Sequence, residues 1–244
     1  RCKFLDSRAN GYVRSEGLGA ALLEPKHRIA SIQGSAVRSD GKSASLTAPS
    51  GTAQVKMLGA ALEAAGLTRI SKVETHGTGT ALGDPTEAGA LHATILTAPA
   101  SCGSRTLGAA KANIGHAEAA SGQVGLLRSI DQLNCGSRVG NAQLRALNPL
   151  IAARLGHNMA EVLQLKLDVS LACEQPAFKG GLSAFGYSGT IAHAVITRKH
   201  GPAPEGAFAT TLHPGSLSFS WKTSVRSSSA HGSAYIEFLG HLKH

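Results

Sequence analysis

Two histidines lie in short polar segments of an otherwise Ala- and Leu-rich chain. His76 belongs to the segment VETHGTGTALGDPTEAGAL, and His116 belongs to LGAAKANIGHAEAA, where Lys111 lies five positions before the histidine. Imidazole is the side chain that changes charge near neutral pH, and the glycines of both segments let backbone donors approach a substrate closely. The two segments therefore predict one polar site.

Several kinds of chemistry use histidine in such surroundings, and the residues favour one. Zinc needs a third ligand at an ordered spacing such as HExxH, which the sequence lacks, so no metal site is predicted. A serine hydrolase needs GxSxG, whereas the nearest stretch, Gly186 to Gly189, reads GYSG. Stabilisation of a developing oxyanion or enolate by two neutral imidazoles fits better. A purely structural role for each histidine is the alternative.

The elements predicted around these segments alternate between strands and helices, which indicates an α/β protein. Strands are predicted at Ala20–Leu23, Ile29–Val37, Ile70–Thr75 and Leu107–Lys111, and after a Gly-rich turn within Leu182–Thr197. Helices are predicted at Gln54–Leu67, Thr86–Leu96 and Ala117–Leu133, with helical turns at Leu144–Leu155 and Met159–Leu167. His76 then follows the carboxyl end of a strand, where α/β proteins commonly form sites.

The composition limits the class of protein. With 42% hydrophobic and 16% charged residues, the 244-residue chain is globular. Its formal net charge of +9 comes from scattered basic residues without aromatic platforms, so an acidic protein partner is expected and nucleic acid is not. No apolar run approaches the roughly 20 residues of a membrane span. The chain starts at Arg1 without a methionine, and we expect it to be a piece of a longer protein.

Five stretches resemble motifs of the β-ketoacyl synthase (ketosynthase) family, in the family's order. Besides the two histidine segments they are RCKFLDSRANGYVRSEG, IQGSAVRSDGKSASLTAPSG and SAFGYSGTIAHAVI. The resemblance is closer to the multidomain polyketide synthases than to discrete bacterial fatty-acid enzymes. It implies a thiolase-like layered α/β/α fold, with the end of the first half at residues 1–25, the second half at 26–198 and a divergent, loosely ordered tail at 199–244.

The resemblance also implies decarboxylative Claisen condensation, in which a malonyl group on an acyl-carrier protein loses CO₂ and the resulting enolate attacks an acyl thioester. By motif, His76 and His116 would bind the malonyl thioester carbonyl and stabilise the enolate. Lys111 would hold or tune His116. Glu118 and Asn113 would support the surrounding polar network.

The substrates of such an enzyme are carried on a phosphopantetheine arm, and no cofactor is expected on the chain itself. Thr78 and Thr80 resemble the threonines that line the tunnel for this arm, and the alternative is that both only shape their turn. The backbone of Tyr187, next to Gly186, would supply one oxyanion-hole donor. The partners implied are an acyl-carrier protein and, for the full-length protein, a second copy in a homodimer.

The nucleophile is the main departure from the family. The family's cysteine lies in an Ala-Cys-Ser-type elbow before the GYVRxEG motif, and none of Cys2, Cys102, Cys135 and Cys173 matches that elbow. Their wide spacing indicates reduced thiols in the cytoplasm rather than disulfides or zinc ligands. We therefore expect an acyltransferase only as part of the full-length protein, with the chain alone inactive. The alternative is a non-catalytic scaffold that binds acyl-carrier protein.

Two further departures concern the Gly-rich turn. Tyr187 stands where the family usually has Phe, and Ile191 stands where it has Asn. Asp84 and Glu87, which follow the first histidine, are expected to cap a helix or hold a loop rather than to act as acid and base.

Overall fold

A five-stranded mixed sheet organises the part of the chain that the structure describes. The structure is a computed structural model and describes residues 1–21, 30–41, 48–96, 106–135, 141–155, 177–199 and 238–239. The strands are β1 (Leu18–Gly19), β2 (Ser31–Ser39), β3 (Lys72–Glu74), β4 (Thr106–Gly108), β5 (Ala177–Phe185), β6 (Thr190–Lys199) and β7 (Phe238–Leu239).

The helices connect and cover these strands. They are α1 (Gly51–Ala64), α2 (Gly83–Leu91), α3 (Lys111–Ile114), α4 (Ser121–Cys135) and α5 (Pro149–Leu155), with a π-helix at His92–Leu96 and a 3₁₀ turn at Glu118–Ala120. Among the described residues, no helix is long and apolar enough to span a bilayer.

The strand order of the sheet is β2-β6-β5-β3-β4, and β1 pairs separately with β7. The first three strands are antiparallel, whereas β3 runs parallel to both β5 and β4. Helix α1 packs on the β2–β6 side and α4 packs across β5 and β6. The predicted layered α/β/α fold is confirmed by this arrangement. It also brings the ends of β3 and β5 together at one edge.

Small residues allow the helices to lie close to the sheet. A Cβ at Gly34 of β2 would lie 2.5 Å from the backbone nitrogen of Ala65, so only glycine lets α1 approach this strand. Ser50 caps α1 by accepting a hydrogen bond from the N–H of Ala53 at 3.3 Å, and Gly66 ends the helix with a φ of +63°. The core above α1 is correspondingly tight.

Most predicted elements exist with shifted bounds, and two differ in kind. Of the predicted strand at Ala20–Leu23, residues 20 and 21 are not in a strand, and the rest lies outside the described residues. The predicted strand at Leu107–Lys111 ends at Gly108, and Lys111 instead begins α3. The predicted helix at Thr86–Leu96 begins earlier, at Gly83, and its second half is the π-helix. Strand β5 was not predicted as a separate element. The predicted helical turn at Met159–Leu167 lies outside the described residues.

The first residues of the chain belong to the same core as the sheet. Phe4 and Leu5 are buried with the residues of α1 and α2. The N–H of Leu5 donates to Asp84 at 3.0 Å, and the side chain of Asn141 donates to the carbonyl of Phe4 at 2.9 Å. The division into 1–25, 26–198 and 199–244 stays a prediction, and most of the third part lies outside the described residues.

Candidate active site

His76 follows the carboxyl end of β3 in a loop that a buried carboxylate holds. Its N–H donates to Oε1 of Glu87 at 2.7 Å, and the N–H of Gly77 donates to Oε2 at 3.0 Å. Gly77 has a φ of +48°, and a Cβ there would lie 2.5 Å from the Cβ of Ala109. Glu87 therefore holds the loop, as expected, and fixes the backbone from which the imidazole of His76 projects.

The ring of His76 is oriented by the end of β5. Its Nδ1 accepts a hydrogen bond from the backbone N–H of Phe185 at 3.2 Å, and the Phe185 ring lies 4.9 Å away between centroids. Because Nδ1 accepts, the proton of the neutral imidazole lies on Nε2. Burial lowers the pKa of His76 well below its usual value, and the positive charge of Lys111 lowers this pKa further.

His116 follows α3 and Gly115. The backbone of residues 1–21, called the first segment below, holds it. Its N–H donates to the carbonyl of Val13 at 2.7 Å, and its carbonyl accepts from the N–H of Ser15 at 2.9 Å. Gly115, with a φ of +92°, would place a Cβ 3.0 Å from the Val13 oxygen. His116 thus forms an isolated β-bridge with Arg14, whereas His76 follows the end of a strand.

The ring of His116 has the same tautomer as that of His76. Its Nδ1 accepts from the backbone N–H of Glu118 at 2.9 Å and lies 3.2 Å from the hydroxyl of Ser121. The N–H of Glu118 points back at the ring because Glu118 adopts a φ of +48°. Burial, followed by the charge of Lys111, lowers the pKa of His116. This leaves Nε2 as the donor at neutral pH.

The two rings face each other at one site. Their centroids lie 5.9 Å apart and their planes are nearly perpendicular, at 85°. The ring of Tyr12 lies 5.0 Å from that of His116 and forms a wall on that side. Two neutral imidazoles whose Nε2–H groups have no acceptor among the described residues are an arrangement that stabilises negative charge on an oxygen. The structure therefore places the two imidazoles side by side, and their shared role in one site stays a prediction.

Lys111 is buried beside the histidines at the start of α3, with 6% of its surface exposed. Burial lowers its pKa, and the carboxylates of Glu74 and Glu87 oppose that change. Burial also raises the pKa of Glu87 to about 7. Lys111 is therefore a buried amine rather than a solvated surface side chain.

Thr78 and Thr80 lie in the loop between His76 and α2. Their hydroxyl oxygens are 3.3 Å apart, and Thr80 accepts from the N–H of Gly83 at 3.2 Å. Asp84 accepts from the N–H of Gly79 at 3.0 Å, in addition to its bond to the first segment. The turn is thus shaped by these hydroxyls and by a carboxylate that holds a loop. Whether the threonines also line a tunnel stays a prediction.

Tyr187 and Gly186 lie at the tip of the β5–β6 hairpin. The N–H of Gly186 donates to the carbonyl of Thr190 at 2.7 Å and closes the turn. The side chain of Tyr187 points to solvent with 79% of its surface exposed. The aromatic side chain that contacts His76 is Phe185, two residues earlier. The role of the Tyr187 backbone as an oxyanion-hole donor stays a prediction.

Glu118 and Asn113 flank His116. Glu118 is half exposed and pairs with Arg14, with 3.3 Å between Oε1 and Nε, while its Oε2 lies 3.9 Å from Nδ1 of His116. The side-chain oxygen of Asn113 is buried without a hydrogen-bond partner among the described residues. Glu118 therefore acts on His116 mainly through its backbone N–H.

Three residues at the site were not singled out by the sequence, and two of them, Tyr12 and Phe185, contact the histidines. Tyr12 and Phe185 stand within the quoted motifs, but an aromatic ring carries no spacing signal for a polar site. Glu74 had a signal in the sequence, because it is a charged residue within the predicted strand Ile70–Thr75. The structure shows that it is buried there. The residues that the structure describes contain no cluster of three or more potential metal ligands.

The cysteine of the first segment is not exposed. Cys2 is fully buried, its sulfur accepts from the N–H of Val13 at 3.3 Å, and burial raises the pKa of its thiol. Such a thiol is a poor nucleophile, in agreement with the sequence, where no elbow motif surrounds Cys2. Cys102 and Cys173 lie outside the described residues.

Comparisons with known proteins agree on one family. Residues 29–144 match the family of β-ketoacyl synthase C-terminal domains. Erythronolide synthase EryA2 of Saccharopolyspora erythraea is 38% identical over 88% of this chain, and 6-methylsalicylic acid synthase of Penicillium expansum is 36% identical over 80%. The chain spans only 6% and 11% of these relatives' own lengths.

Solved structures support the same assignment. A ketosynthase from module 6 of the bacillaene synthase of Bacillus subtilis 168 matches with a TM-score of 0.72 and 31% identity, over 82% of this chain and 37% of its own. The oxazolomycin ketosynthase domain of Streptomyces albus matches with a TM-score of 0.71 and 29% identity, over 83% of this chain and 37% of its own. The chain belongs to the β-ketoacyl synthase family, as the C-terminal portion of a ketosynthase of the polyketide synthase type with the thiolase-like fold.

Proposed function

We propose that the chain supplies the decarboxylation half of a β-ketoacyl synthase active site. The observation that carries this proposal is the pair of imidazoles of His76 and His116, 5.9 Å apart, each with Nδ1 occupied by a backbone donor. The pKa of each histidine is lowered, so both rings are neutral at pH 7 and both donate through Nε2. One oxygen atom placed between them accepts two hydrogen bonds.

The reaction that suits two such donors is the loss of CO₂ from a malonyl thioester. The thioester carbonyl oxygen accepts hydrogen bonds from Nε2–H of His76 and of His116. As the bond between the α-carbon and the carboxylate breaks, its electron pair forms an enolate and CO₂ leaves. The negative charge gathers on the oxygen that the imidazoles hold, so they bind the transition state more tightly than the substrate.

Condensation completes the reaction in the complete protein. The enolate carbon attacks the carbonyl of an acyl group held as a thioester on a cysteine, the new carbon–carbon bond forms, and the sulfur leaves as thiolate. The cysteine lies outside the motifs of this chain. The chain's own contribution is therefore to form and hold the enolate.

Lys111 keeps the imidazoles in the required state. A protonated imidazole would bind the malonyl carboxylate and oppose its loss as CO₂. The buried charge of Lys111 lowers the pKa of both histidines and so favours their neutral forms. The decarboxylation rate should consequently stay high as pH falls to about 6.5, the ordinary histidine value, and decline only below it.

The remaining assignments concern the substrate carrier. Thr78 and Thr80 would line the path of a phosphopantetheine arm, and the backbone N–H of Tyr187 would complete an oxyanion hole for the acyl thioester. The net charge of +9 suits an acidic carrier protein. The complete protein would work as a homodimer, in the manner that the resemblance implies.

Replacing His116 tests the proposal in the complete ketosynthase that contains these residues. His116→Ala should lower malonyl decarboxylation at least about 100-fold, because one of two oxyanion donors is lost. The cysteine should still accept an acyl group. His92→Ala, in the π-helix, is the matched control and should keep the wild-type rate. Equal decarboxylation by His116→Ala and wild type would contradict the proposal.

A scaffold that binds acyl-carrier protein without catalysis is the second candidate. The buried Ile191 favours it, because this residue stands where the family has a hydrogen-bonding Asn beside the site. Incubation of the complete protein with a radiolabelled acyl thioester separates the two functions. Covalent labelling supports the enzyme, whereas carrier binding without labelling supports the scaffold.

A further inference from the structure

A buried ion pair beneath the site has no place in the chemistry described above. Glu74, the last residue of β3, is 2% exposed. Its Oε1 accepts a hydrogen bond from the backbone N–H of Ala110, and its Oε2 lies 3.3 Å from Nη1 of Arg128 on α4. The carboxylate thus joins a strand of the sheet, the start of α3 and the helix on that face. A buried carboxylate is costly unless it is paired and hydrogen-bonded in this way.

Glycines make the room that the pair occupies. A Cβ at Gly125 of α4 would lie 3.3 Å from Cγ of Glu74 and 2.8 Å from Leu182. A Cβ at Gly108 would lie 3.9 Å from Nη2 of Arg128. Gly125 and Arg128 are three residues apart and therefore share one face of α4. The face of α4 towards the sheet is thus shaped around this ion pair.

The pair reaches the active site through the backbone of α3. Ala110 is the residue that precedes α3, and Lys111 is the first residue of that helix. Because Glu74 holds the N–H of Ala110, it fixes the peptide between Ala109 and Ala110, one residue before Lys111. The same short helix leads to His116, so a shift at Ala110 would move both functional side chains.

The pair also sets the charge that Lys111 meets. The groups that face Lys111 are the carboxylates of Glu74 and Glu87, the thiol of Cys2 and the imidazoles of His76 and His116. Because Arg128 pairs with Glu74, it offsets part of the negative charge that this carboxylate presents to Lys111. The positive charge of Lys111 then remains available to act on the two imidazoles.

We propose that Glu74 and Arg128 are positioning residues of the condensing site: Glu74 anchors the peptide that begins the Lys111 helix, and Arg128 limits the negative charge that Lys111 meets. This assignment rests on the proposed function of the site. The second terminal nitrogen of Arg128, Nη2, is buried without an acceptor among the described residues, so the guanidinium acts mainly through its charge and through Nη1. A lysine at this position should preserve most of the effect.

The titration of Lys111 tests the proposal, because a merely structural pair would not move it in opposite directions. Glu74→Gln keeps an oxygen for the Ala110 N–H but removes the charge, and should lower the pKa of Lys111 by about one unit. Arg128→Met should raise that pKa by a similar amount, and Arg128→Lys should leave it near the wild-type value. The measurement is the ¹³Cε shift of Lys111 in the complete protein, assigned by Lys111→Arg.

Exposed residues of the same types supply the controls. Glu63→Gln on α1 and Arg38→Met on β2 should leave the titration of Lys111 unchanged. If Arg128→Met does not fold, Glu74→Gln combined with Arg128→Met removes both charges and should return the pKa of Lys111 close to wild type. Shifts of the two single variants in the same direction, or no shift in a folded protein, would overturn the proposal.

Decarboxylation measured on the same variants separates this proposal from the proposed function. A wild-type protein that does not decarboxylate malonyl thioesters would reject the proposed function. Opposite shifts of Lys111 would still support the pair, since that readout needs no turnover.

Discussion

The two histidine segments reach the same protonation state through different supports. The backbone of His76 is held by a carboxylate that titrates, since its N–H and that of the next residue both donate to Glu87. The backbone of His116 is held by other backbone, through Val13 and Ser15. A site with two equivalent donors can therefore be built from two unrelated local structures. What both share is a backbone N–H on Nδ1.

The difference also shows where each segment is vulnerable. Both need a residue with φ near +48°, which is Gly77 beside His76 and Glu118 beside His116. Glycine adopts this conformation without cost, whereas a glutamate there is strained. The strain at Glu118 aims an N–H at the ring, while the conformation of Gly77 avoids a clash. Substitution of Glu118 should therefore lower the decarboxylation rate, whereas substitution of Gly77 should lower the stability of the fold.

Of the substitutions that separate the two histidine segments, Glu118→Pro should have the largest effect on the decarboxylation rate. Glu118→Pro removes the N–H that binds Nδ1 of His116 and fixes φ near −65°. We expect a loss of decarboxylation rate of about 100-fold or more, or roughly 3 kcal/mol in the barrier. The ¹⁵N shifts of His116 should show a changed tautomer while those of His76 stay as in wild type.

Glycine at the same position is the matched control. Glu118→Gly keeps the N–H and tolerates a positive φ, so the rate should stay within about threefold of wild type. If the proline variant kept both its rate and the tautomer of His116, the backbone of Glu118 would not be what orients the ring.

Alanine at position 77 should act on stability instead. Its Cβ would lie 2.5 Å from Cβ of Ala109 and 2.6 Å from the Thr75 hydroxyl, at a φ that alanine avoids. We expect the free energy of unfolding in urea to fall by about 3 kcal/mol for Gly77→Ala. Gly59→Ala, in α1 with open space around it, should instead gain up to about 1 kcal/mol. Equal effects of both substitutions would contradict the assigned clash.

The position of His76 was predictable from sequence, and that of His116 only in part. Ile70–Thr75 carries two β-branched apolar residues, Ile70 and Val73, and the glycines of the HGTG turn follow it, so a strand followed by a turn was the natural interpretation, and β3 lies there. Leu107–Lys111 consists of small residues that suit a strand or a helix equally. The parallel pairing with β3 stops at Gly108, and Glu74 then takes the N–H of Ala110, so the chain turns into α3. Only the tertiary structure decides that point.

Long-range pairing explains the other differences. Strand β5 contains the run Lys179–Leu182 with two glycines, which hides the alternation expected of a strand. Its pairing with β6 over nine residues makes it a strand despite that composition. The contact between Phe185 and His76 joins residues 109 positions apart. Spacing along the sequence cannot reveal such a contact, so the support for the first imidazole was missed.

An effect of intermediate size is expected from Glu87, whose carboxyl group holds the His76 loop but has no counterpart at His116. Burial raises the pKa of Glu87 from 4.5 to about 7, so the folded protein binds this proton more tightly than the unfolded chain. Stability should therefore fall by about 2 kcal/mol, through this group, as pH rises from about 4.5 to about 7. Glu87→Gln should remove that part of the slope. Urea unfolding at pH 5 and pH 7.5 measures the difference between the two proteins.

The matched control for this prediction is Glu63→Gln, since Glu63 is exposed on α1. It should keep the wild-type dependence on pH. A wild-type slope in Glu87→Gln would mean that another group, such as Asp84, whose pKa burial raises to about 6, produces the dependence.

The smallest effect is expected from the exposed ion pair beside His116. Arg14 and Glu118 are 76% and 50% exposed in their side chains, and solvent screens such pairs strongly. Arg14→Ala leaves the charge of Glu118 unopposed, so the pKa of His116 should rise slightly while that of His76 stays unchanged. The decarboxylation rate at pH 7 should change by less than about twofold. NMR titration at low and high salt measures the shift, which should shrink as salt is added. An equal shift at His76 would show that the two histidines share one electrostatic support, because only a charge that reaches both rings would move them together.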